Sequence, residues 1–352
     1  MSFATRPADA AGDDVLDRPA AQTSRDGLLD IPGRFDLHHG GALNGVRVAW
    51  RLAGAVQGPV IAVLGGISAG RDVFGSTAET GWWNSMVGSG RGVDTGRFRV
   101  LGIDFLGGSG ATTGPRPGAA TPFPSISSFD QAAILAHVLD HLAVEHLHAI
   151  VGASYGGMVG LAFAQRFPAR VGRLLVLSSA HRSHPLATAW RSIERRIVRY
   201  AAERGDSAGG LEIARALAMA TYRSSVEFEQ RFDADPDWAT SGAAVFPVEQ
   251  YLFARGASYA RNYVPEAFVC LSESIDLHRV DPQRITTPVT LVAVAEDQLV
   301  PLADMRELAR QLAGPVELIE LNSIYGHDAF LKENIKLDPI FTKALDSGEV
   351  QR

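Results

Sequence analysis

Cysteine is nearly absent: Cys270 stands alone among 352 residues, so no intrachain disulfide can form and a reducing, cytoplasmic setting is expected. An excess of positive charge is missing as well. The net charge is −6 and the pI near 5.9, which removes the electrostatic ground for a nucleic-acid or anionic-membrane partner. No uninterrupted apolar segment has membrane-spanning character, and the first residues hold no signal-peptide core, so the chain is expected to be soluble and unprocessed. Repeats and low-complexity tracts are lacking too. The glycine clusters Gly65-Gly66 and Gly107-Gly-Ser-Gly110 do not end in the Lys-Ser/Thr of a phosphate-binding loop, nor have they the spacing of a dinucleotide fingerprint. His181 and His184 stand three apart, but Pro185 and the want of nearby carboxylates speak against a metal site. Neither metal nor bound cofactor is expected. Cys270 itself, inside Ala267-Phe-Val-Cys-Leu271, reads as a small core residue.

What is present is the balance of a globular protein, 46% apolar and 20% charged, in a chain long enough for a large core. Residues 1–32, rich in Ala, Asp, Arg and Thr without periodicity, read as a disordered tail. Val46–Trp50, Val60–Leu64 and Phe98–Ile103 read as strands and Ser128–Leu142 as a helix, the start of a βαβ series with a mostly parallel sheet. Between 182 and 270 helical stretches such as Pro185–Arg204 and Gly210–Thr221 follow one another without strand signals. This gives an α/β core over 33–181 and 271–352, with 182–270 inserted as a helical cap.

The chemistry is concentrated in Val151-Gly-Ala-Ser154-Tyr-Gly-Gly157, set after the apolar run His148–Val151 and before the helical Met158–Gln165. Gly-x-Ser-x-Gly between strand and helix holds a serine on a sharp turn, with glycines where strand and helix come too close for side chains. Ser154 is the candidate nucleophile, and the pattern is that of the α/β-hydrolase fold. In that fold an acid and a histidine follow in chain order. Val289–Val294, β-branched and apolar, delivers Ala295-Glu-Asp297; Val316–Leu321 leads to Tyr325-Gly-His327. Asp297 and His327 therefore complete a candidate triad. Taken singly, Asp297 also fits a cap for a helix over Ala303–Leu312, with Glu296 as rival acid, and His327 a surface loop.

Several further blocks carry a more specific likeness: Phe35-Asp-Leu-His-His-Gly-Gly, Gly81-Trp-Trp-Asn-Ser-Met-Val-Gly-Ser-Gly-Arg-Gly-Val-Asp94, Leu106-Gly-Gly-Ser-Gly-Ala-Thr-Thr-Gly-Pro115, Thr221-Tyr-Arg-Ser224, Val248-Glu-Gln-Tyr-Leu252 and Tyr325-Gly-His-Asp-Ala-Phe330. Together they make residues 33–345 resemble the homoserine O-acyltransferases of the MetX type. The resemblance implies transfer of an acyl group from coenzyme A to the homoserine hydroxyl, an early step of methionine synthesis, by a ping-pong acyl-serine route. It implies Ser154, Asp297 and His327 as nucleophile, acid and base, and Arg215, Tyr222 and Asp328 as the groups holding the amino-acid acceptor. Backbone N–H groups of Ile67 and Tyr155 would form the oxyanion hole. It further implies homoserine and acyl-CoA as the only small-molecule partners, with succinyl-CoA a co-substrate, and a homodimer built through the cap.

Two departures from the family pattern bear on the donor. Tyr155 stands where methionine is usual, and the oxyanion loop reads Leu64-Gly-Gly-Ile-Ser-Ala-Gly-Arg71; both are expected to touch the acyl pocket. The sequence is more similar to the succinyl-using branch, and Arg71 offers a cation for the free succinyl carboxylate. Homoserine O-succinyl transfer is the reading adopted, with acetyl transfer, serine O-succinyl transfer and ester hydrolysis as alternatives. Arg71 as an ordinary surface charge also stays open.

Overall fold

Eight strands make the main sheet: β1 (Gln22–Asp36), β2 (Ala42–Ala55), β3 (Val60–Leu64), β4 (Arg99–Ile103), β5 (Ala149–Ala153), β6 (Leu174–Leu177), β7 (Val289–Val294) and β8 (Val316–Leu321). The computed structural model describes residues 22–75, 81–119 and 121–346. Spatial order is β1-β2-β4-β3-β5-β6-β7-β8, with β2 antiparallel to β1 and β4 and all other pairs parallel. Strand periodicity sorts the side chains. Ile61, Val63, Val151, Leu175 and Val292 enter one core with Trp83 and Phe341, while Ala62, Leu64, Ile150, Val176 and Leu291 enter the other with Leu135 and Phe163. Both faces of the parallel strands are thus covered, which is why these strands read as continuous apolar runs.

The expectation of a tail up to residue 32 is corrected for its second part: Gln22–Pro32 belong to β1, paired residue by residue with β2 from Gln22 against Ala55 to Ile31 against Val46. Residues 1–21 lie outside the described residues.

Helices α1 (Ser128–His141) and α2 (Tyr155–Arg166) pack on the sheet. The insertion after β6 carries α3 (Pro185–Ala202), α4 (Ser207–Tyr222), α5 (Ser225–Phe232), α6 (Pro247–Ala260) and α7 (Pro265–Asp276). Local signals start them: Pro185 opens α3, Asp206 accepts the N–H of Gly209 at 3.0 Å ahead of α4, and Ser224 accepts that of Glu227 at 3.2 Å ahead of α5. The expected boundary at 270 falls inside α7, so the inserted helices run to Asp276. Cys270 is buried there. Helices α8 (Leu302–Gln311), α9 (Ala329–Lys332) and α10 (Asn334–Asp346) follow the last strands. Among the described residues no helix is long and apolar enough to cross a membrane.

The order β4-β3-β5 reverses direction at β3, and the carboxyl ends of β3 and β5 meet at this switch point, where sheets of this kind bind ligands. The cap covers that same end.

Candidate active site

Ser154 leaves β5 with φ 54 and ψ −121, a backbone state that a non-glycine residue holds only when its surroundings enforce it. The enforcement is visible at Gly156: a Cβ there would collide with the Leu64 carbonyl of β3. The elbow is therefore wedged between strand and helix, with the serine pointing out of it.

His327 Nε2 lies 2.8 Å from Ser154 Oγ, and His327 Nδ1 lies 2.7 Å from Asp297 Oδ2. The other Asp297 oxygen accepts the N–H groups of Leu299 at 2.9 Å and Val300 at 3.0 Å, so the carboxylate is fixed and cannot rotate away from the imidazole. Glu296, the rival acid, accepts the Ser323 N–H at 2.7 Å and braces the histidine loop. Burial pulls the His327 pKa down, but the charge and hydrogen bond of Asp297, joined by Asp328, outweigh it and hold it above the ordinary value.

The tryptophans of the Gly81–Asp94 block brace this arrangement. Trp83 Nε1 donates to the Phe330 carbonyl at 2.8 Å, three residues beyond His327, and Trp82 Nε1 donates to the Gly70 carbonyl of the oxyanion loop at 3.1 Å. From the cap, the Tyr263 hydroxyl donates to the Ile67 carbonyl at 2.8 Å and Tyr259 Oη lies 2.8 Å from Ser68 Oγ. The Ile67 N–H and the Tyr155 N–H, the latter in the first turn of α2, have no protein acceptor among the described residues.

Ser154, His327, Arg215, Tyr222, Asp328 and Ile67 line one cavity between sheet and cap. Arg215 Nη1 lies 3.3 Å from Tyr222 Oη, and its guanidinium sits 5.1 Å from the Tyr222 ring centre and 4.6 Å from that of Tyr259. Burial lowers the Arg215 pKa, but Tyr222, Tyr259 and Asp328 more than offset this, so the cation is secure. Asp328 Oδ2 lies 3.0 Å from Arg223 Nε.

Two expectations about the donor pocket are corrected. Arg71 does not line the cavity: its Nη1 is 2.5 Å from Asp104 Oδ2 and its own N–H donates to Asp104 Oδ1 at 2.8 Å. The cation is spent on a buried carboxylate. The Tyr155 side chain points away from the cavity as well, with Oη 2.6 Å from Ser274 Oγ and its ring edge-on to Phe105. Only its backbone faces the chemistry. Sequence reasoning missed Arg191, Glu194 and Arg182, which also line the cavity; for the first two, a helix bearing alternating charges reads as a solvated face, and Arg182 precedes that helix.

With the geometry in view, comparison with known proteins is informative. A family model for the alpha/beta hydrolase fold matches residues 59–333. The chain is 43% identical over 320 residues to a homoserine O-succinyltransferase of Xanthomonas campestris pv. campestris, covering 90% of this chain and 82% of that one. It is 32% identical to a serine O-succinyltransferase of Litchfieldella anticariensis, covering 90% and 97% respectively. Among solved structures, a homoserine O-acetyltransferase from Bacillus anthracis superposes with a TM-score of 0.82 at 16% identity, covering 92% of this chain and 98% of that one. At that identity the likeness speaks for the fold alone.

Proposed function

We infer the reaction from kinship and site together: this chain belongs to the homoserine O-acyltransferase family of the α/β-hydrolase superfamily. It is an acyltransferase. We propose that it transfers succinyl from succinyl-CoA to the hydroxyl of homoserine in methionine synthesis. The observation that carries the transferase reading is the Arg215–Tyr222 pair in the same cavity as Ser154, since a cationic clamp for an amino-acid carboxylate has no use in simple ester hydrolysis. Similarity to a homoserine O-succinyltransferase over most of the chain supports the donor and the acceptor.

In the mechanism, His327, oriented by Asp297, takes the Ser154 proton as Oγ attacks the thioester carbonyl. The N–H groups of Tyr155 and Ile67 receive the oxyanion, a service typically worth about 3–4 kcal/mol per donor. The tetrahedral species collapses, the C–S bond breaks, and coenzyme A leaves with the proton returned by His327. Homoserine then enters with its carboxylate on Arg215 and Tyr222 and its ammonium toward Asp328. His327 deprotonates the acceptor hydroxyl as it attacks the acyl-serine ester; the tetrahedral species collapses with cleavage of the bond to Ser154 Oγ, which takes the proton back from His327, and O-succinylhomoserine is released. No resident cofactor enters this scheme.

The same reading sets the enzyme in the cytoplasm as a homodimer joined through the cap. Exposed large apolar side chains gather there, among them Leu186, Ile193, Tyr200, Trp238 and Phe246, which supports such a face.

A thiol-release assay with succinyl-CoA or acetyl-CoA, each with homoserine, serine or no acceptor, tests the reaction. Succinyl-CoA with homoserine is expected to be fastest, and Ser154→Ala to abolish turnover and any acyl adduct in the intact mass. Preference for acetyl-CoA or for serine would replace the succinyl or the homoserine assignment, and thiol release independent of acceptor would mark a hydrolase.

A further inference from the structure

Two buried carboxylates of the cavity, Glu194 and Asp304, take no part in the reaction, and of the two it is Glu194 that lies within electrostatic reach of the Arg215–Tyr222 pair. Glu194, on α3, is 4% exposed, lines the cavity with Arg215 and Ser154, and makes no hydrogen bond or ion pair with the described residues. The charged and titratable groups within electrostatic reach are Arg191 and Arg195 of its own helix, Arg215 and Tyr222 of α4, and Asp276 of α7. Both arginines of α3 are committed elsewhere: Arg191 Nε donates to Asp276 Oδ1 at 2.8 Å and Arg195 Nη1 to Asp276 Oδ2 at 2.6 Å. Arg215 is held over two tyrosine rings, with no carboxylate at ion-pair distance among the described residues. Asp328, the cavity's other carboxylate near the clamp, already has Arg223 against one oxygen.

A carboxylate taken out of water without a partner is costly, and such a group persists in a cavity wall where a ligand brings the partner. An α-amino acid carries its carboxylate and ammonium on one carbon. A cavity that offers Arg215 and Tyr222 to the first therefore needs an anion close by for the second, and Glu194 lines the same cavity within electrostatic reach of that pair, its carboxylate without a hydrogen-bond partner among the described residues. We propose that Glu194 receives the α-ammonium group of the acceptor, so that Arg215, Tyr222 and Glu194 together read the zwitterion, with Asp328 closing the other side. This rests on the reading of the site as an amino-acid O-acyltransferase.

Burial pushes the Glu194 carboxyl up to about 7, against the pull of Arg191, Arg215 and Arg195 and with some help from Asp276. In the empty site it is then partly protonated at neutral pH, and an arriving ammonium favours the ionised form. Acceptor binding should tighten as pH rises through neutrality.

The test compares homoserine with 4-hydroxybutanoate, the same acceptor without its amino group, in wild type, Glu194→Gln and Glu194→Asp. Glu194→Gln is expected to raise the homoserine KM about ten- to hundredfold with a much smaller change in kcat. The preference for homoserine over 4-hydroxybutanoate should shrink by the same factor, and Glu194→Asp should restore part of it. If Glu194 merely neutralises Arg215, both acceptors shift together, the preference stays, and the proposal is overturned. Labelling of Ser154 by a small fluorophosphonate reports whether the variant site is intact. Should the variants fail to fold, wild type alone decides: the KM of homoserine falls with rising pH through neutrality while that of 4-hydroxybutanoate does not, and equal profiles overturn the proposal. A wild type that uses serine in place of homoserine would correct the acceptor but not this role, since serine against 3-hydroxypropanoate puts the same question. Turnover without any amino-acid acceptor would remove both.

Discussion

His327 is pulled in two directions, down by burial and up by Asp297 and Asp328, and the upward pull wins. Because the base must be neutral to take the Ser154 proton, the acid limb of kcat/KM for acyl-CoA should lie above the ordinary imidazole value of 6.5. Stability runs the opposite way. A histidine whose folded pKa is raised contributes its stabilisation in full below 6.5 and loses it as pH climbs through the folded value, so the pH range that activates the enzyme also weakens this contribution. Asp297→Asn should move the limb to lower pH and cost much of the rate; a wild-type limb at or below 6.5 would contradict the assigned electrostatics. Arg71 makes a contrasting case. Its removal leaves Asp104, side chain 6% exposed, without its cation but still bonded to the N–H groups of Arg71 and Ala111. The expected loss is about 2 kcal/mol of stability, less than for a buried charge left bare. Urea unfolding of Arg71→Ala should show that loss, while the ratio of succinyl-CoA to acetyl-CoA efficiency stays unchanged; a selective fall with succinyl-CoA would return Arg71 to the donor pocket.

At the scale of elements, what the sequence made legible is what local chemistry controls. The elbow at Ser154, the strands delivering Asp297 and His327, and the run of cap helices each carry their signal within a dozen residues. The segment 22–32 does not. It forms an edge strand whose side chains are mostly exposed, held chiefly by its long antiparallel pairing with β2, a contact no local pattern announces. Glu194 was illegible for a related reason: Ser192-Ile-Glu-Arg-Arg196 looks like a solvated helix face until α4 and α7 close over it. Arg71 misled because a cation beside an oxyanion loop reads as a ligand group, and its partner Asp104 comes from beyond β4. The Gly81–Asp94 block owes its role to its tryptophans, which bond the Gly70 and Phe330 carbonyls. Trp83→Phe keeps the ring but frees the Phe330 carbonyl, 2.8 Å from the lost donor. A buried acceptor left unpaired costs about 1–3 kcal/mol, and the loosened α9 should lower kcat more than it raises the acyl-CoA KM. Thermal unfolding and steady-state kinetics check both; an unchanged Tm would show that the indole N–H carries no structural role.

For the whole molecule, the decisive question is what covers the cap. Leu186, Ile193 and Tyr200 of α3 are each about half exposed, at 50%, 53% and 51%, and stand seven residues apart. On an α-helix that spacing drifts only about 20° per step, so the three make one stripe along the length of α3, facing away from the α4 and α7 contacts that bury Ala187, Glu194 and Val198. A second copy of the chain fits this stripe by symmetry, since a two-fold interface places the same helix opposite itself and counts every contact twice. Light scattering after gel filtration should therefore give twice the chain mass of 37.6 kDa. Ile193→Glu puts two like charges near the axis and should weaken the dimer by about a hundredfold or more, yielding monomers with an unchanged far-UV spectrum. Because Ile193 and Glu194 are adjacent on one helix, the face proposed to meet a partner and the face proposed to meet the acceptor are set by the same element. Splitting the dimer should accordingly raise the homoserine KM while leaving fluorophosphonate labelling of Ser154 intact. A wild type that runs as a monomer at micromolar concentration, or an Ile193→Glu protein that stays dimeric, would place the subunit contact elsewhere and leave the stripe on α3 unexplained.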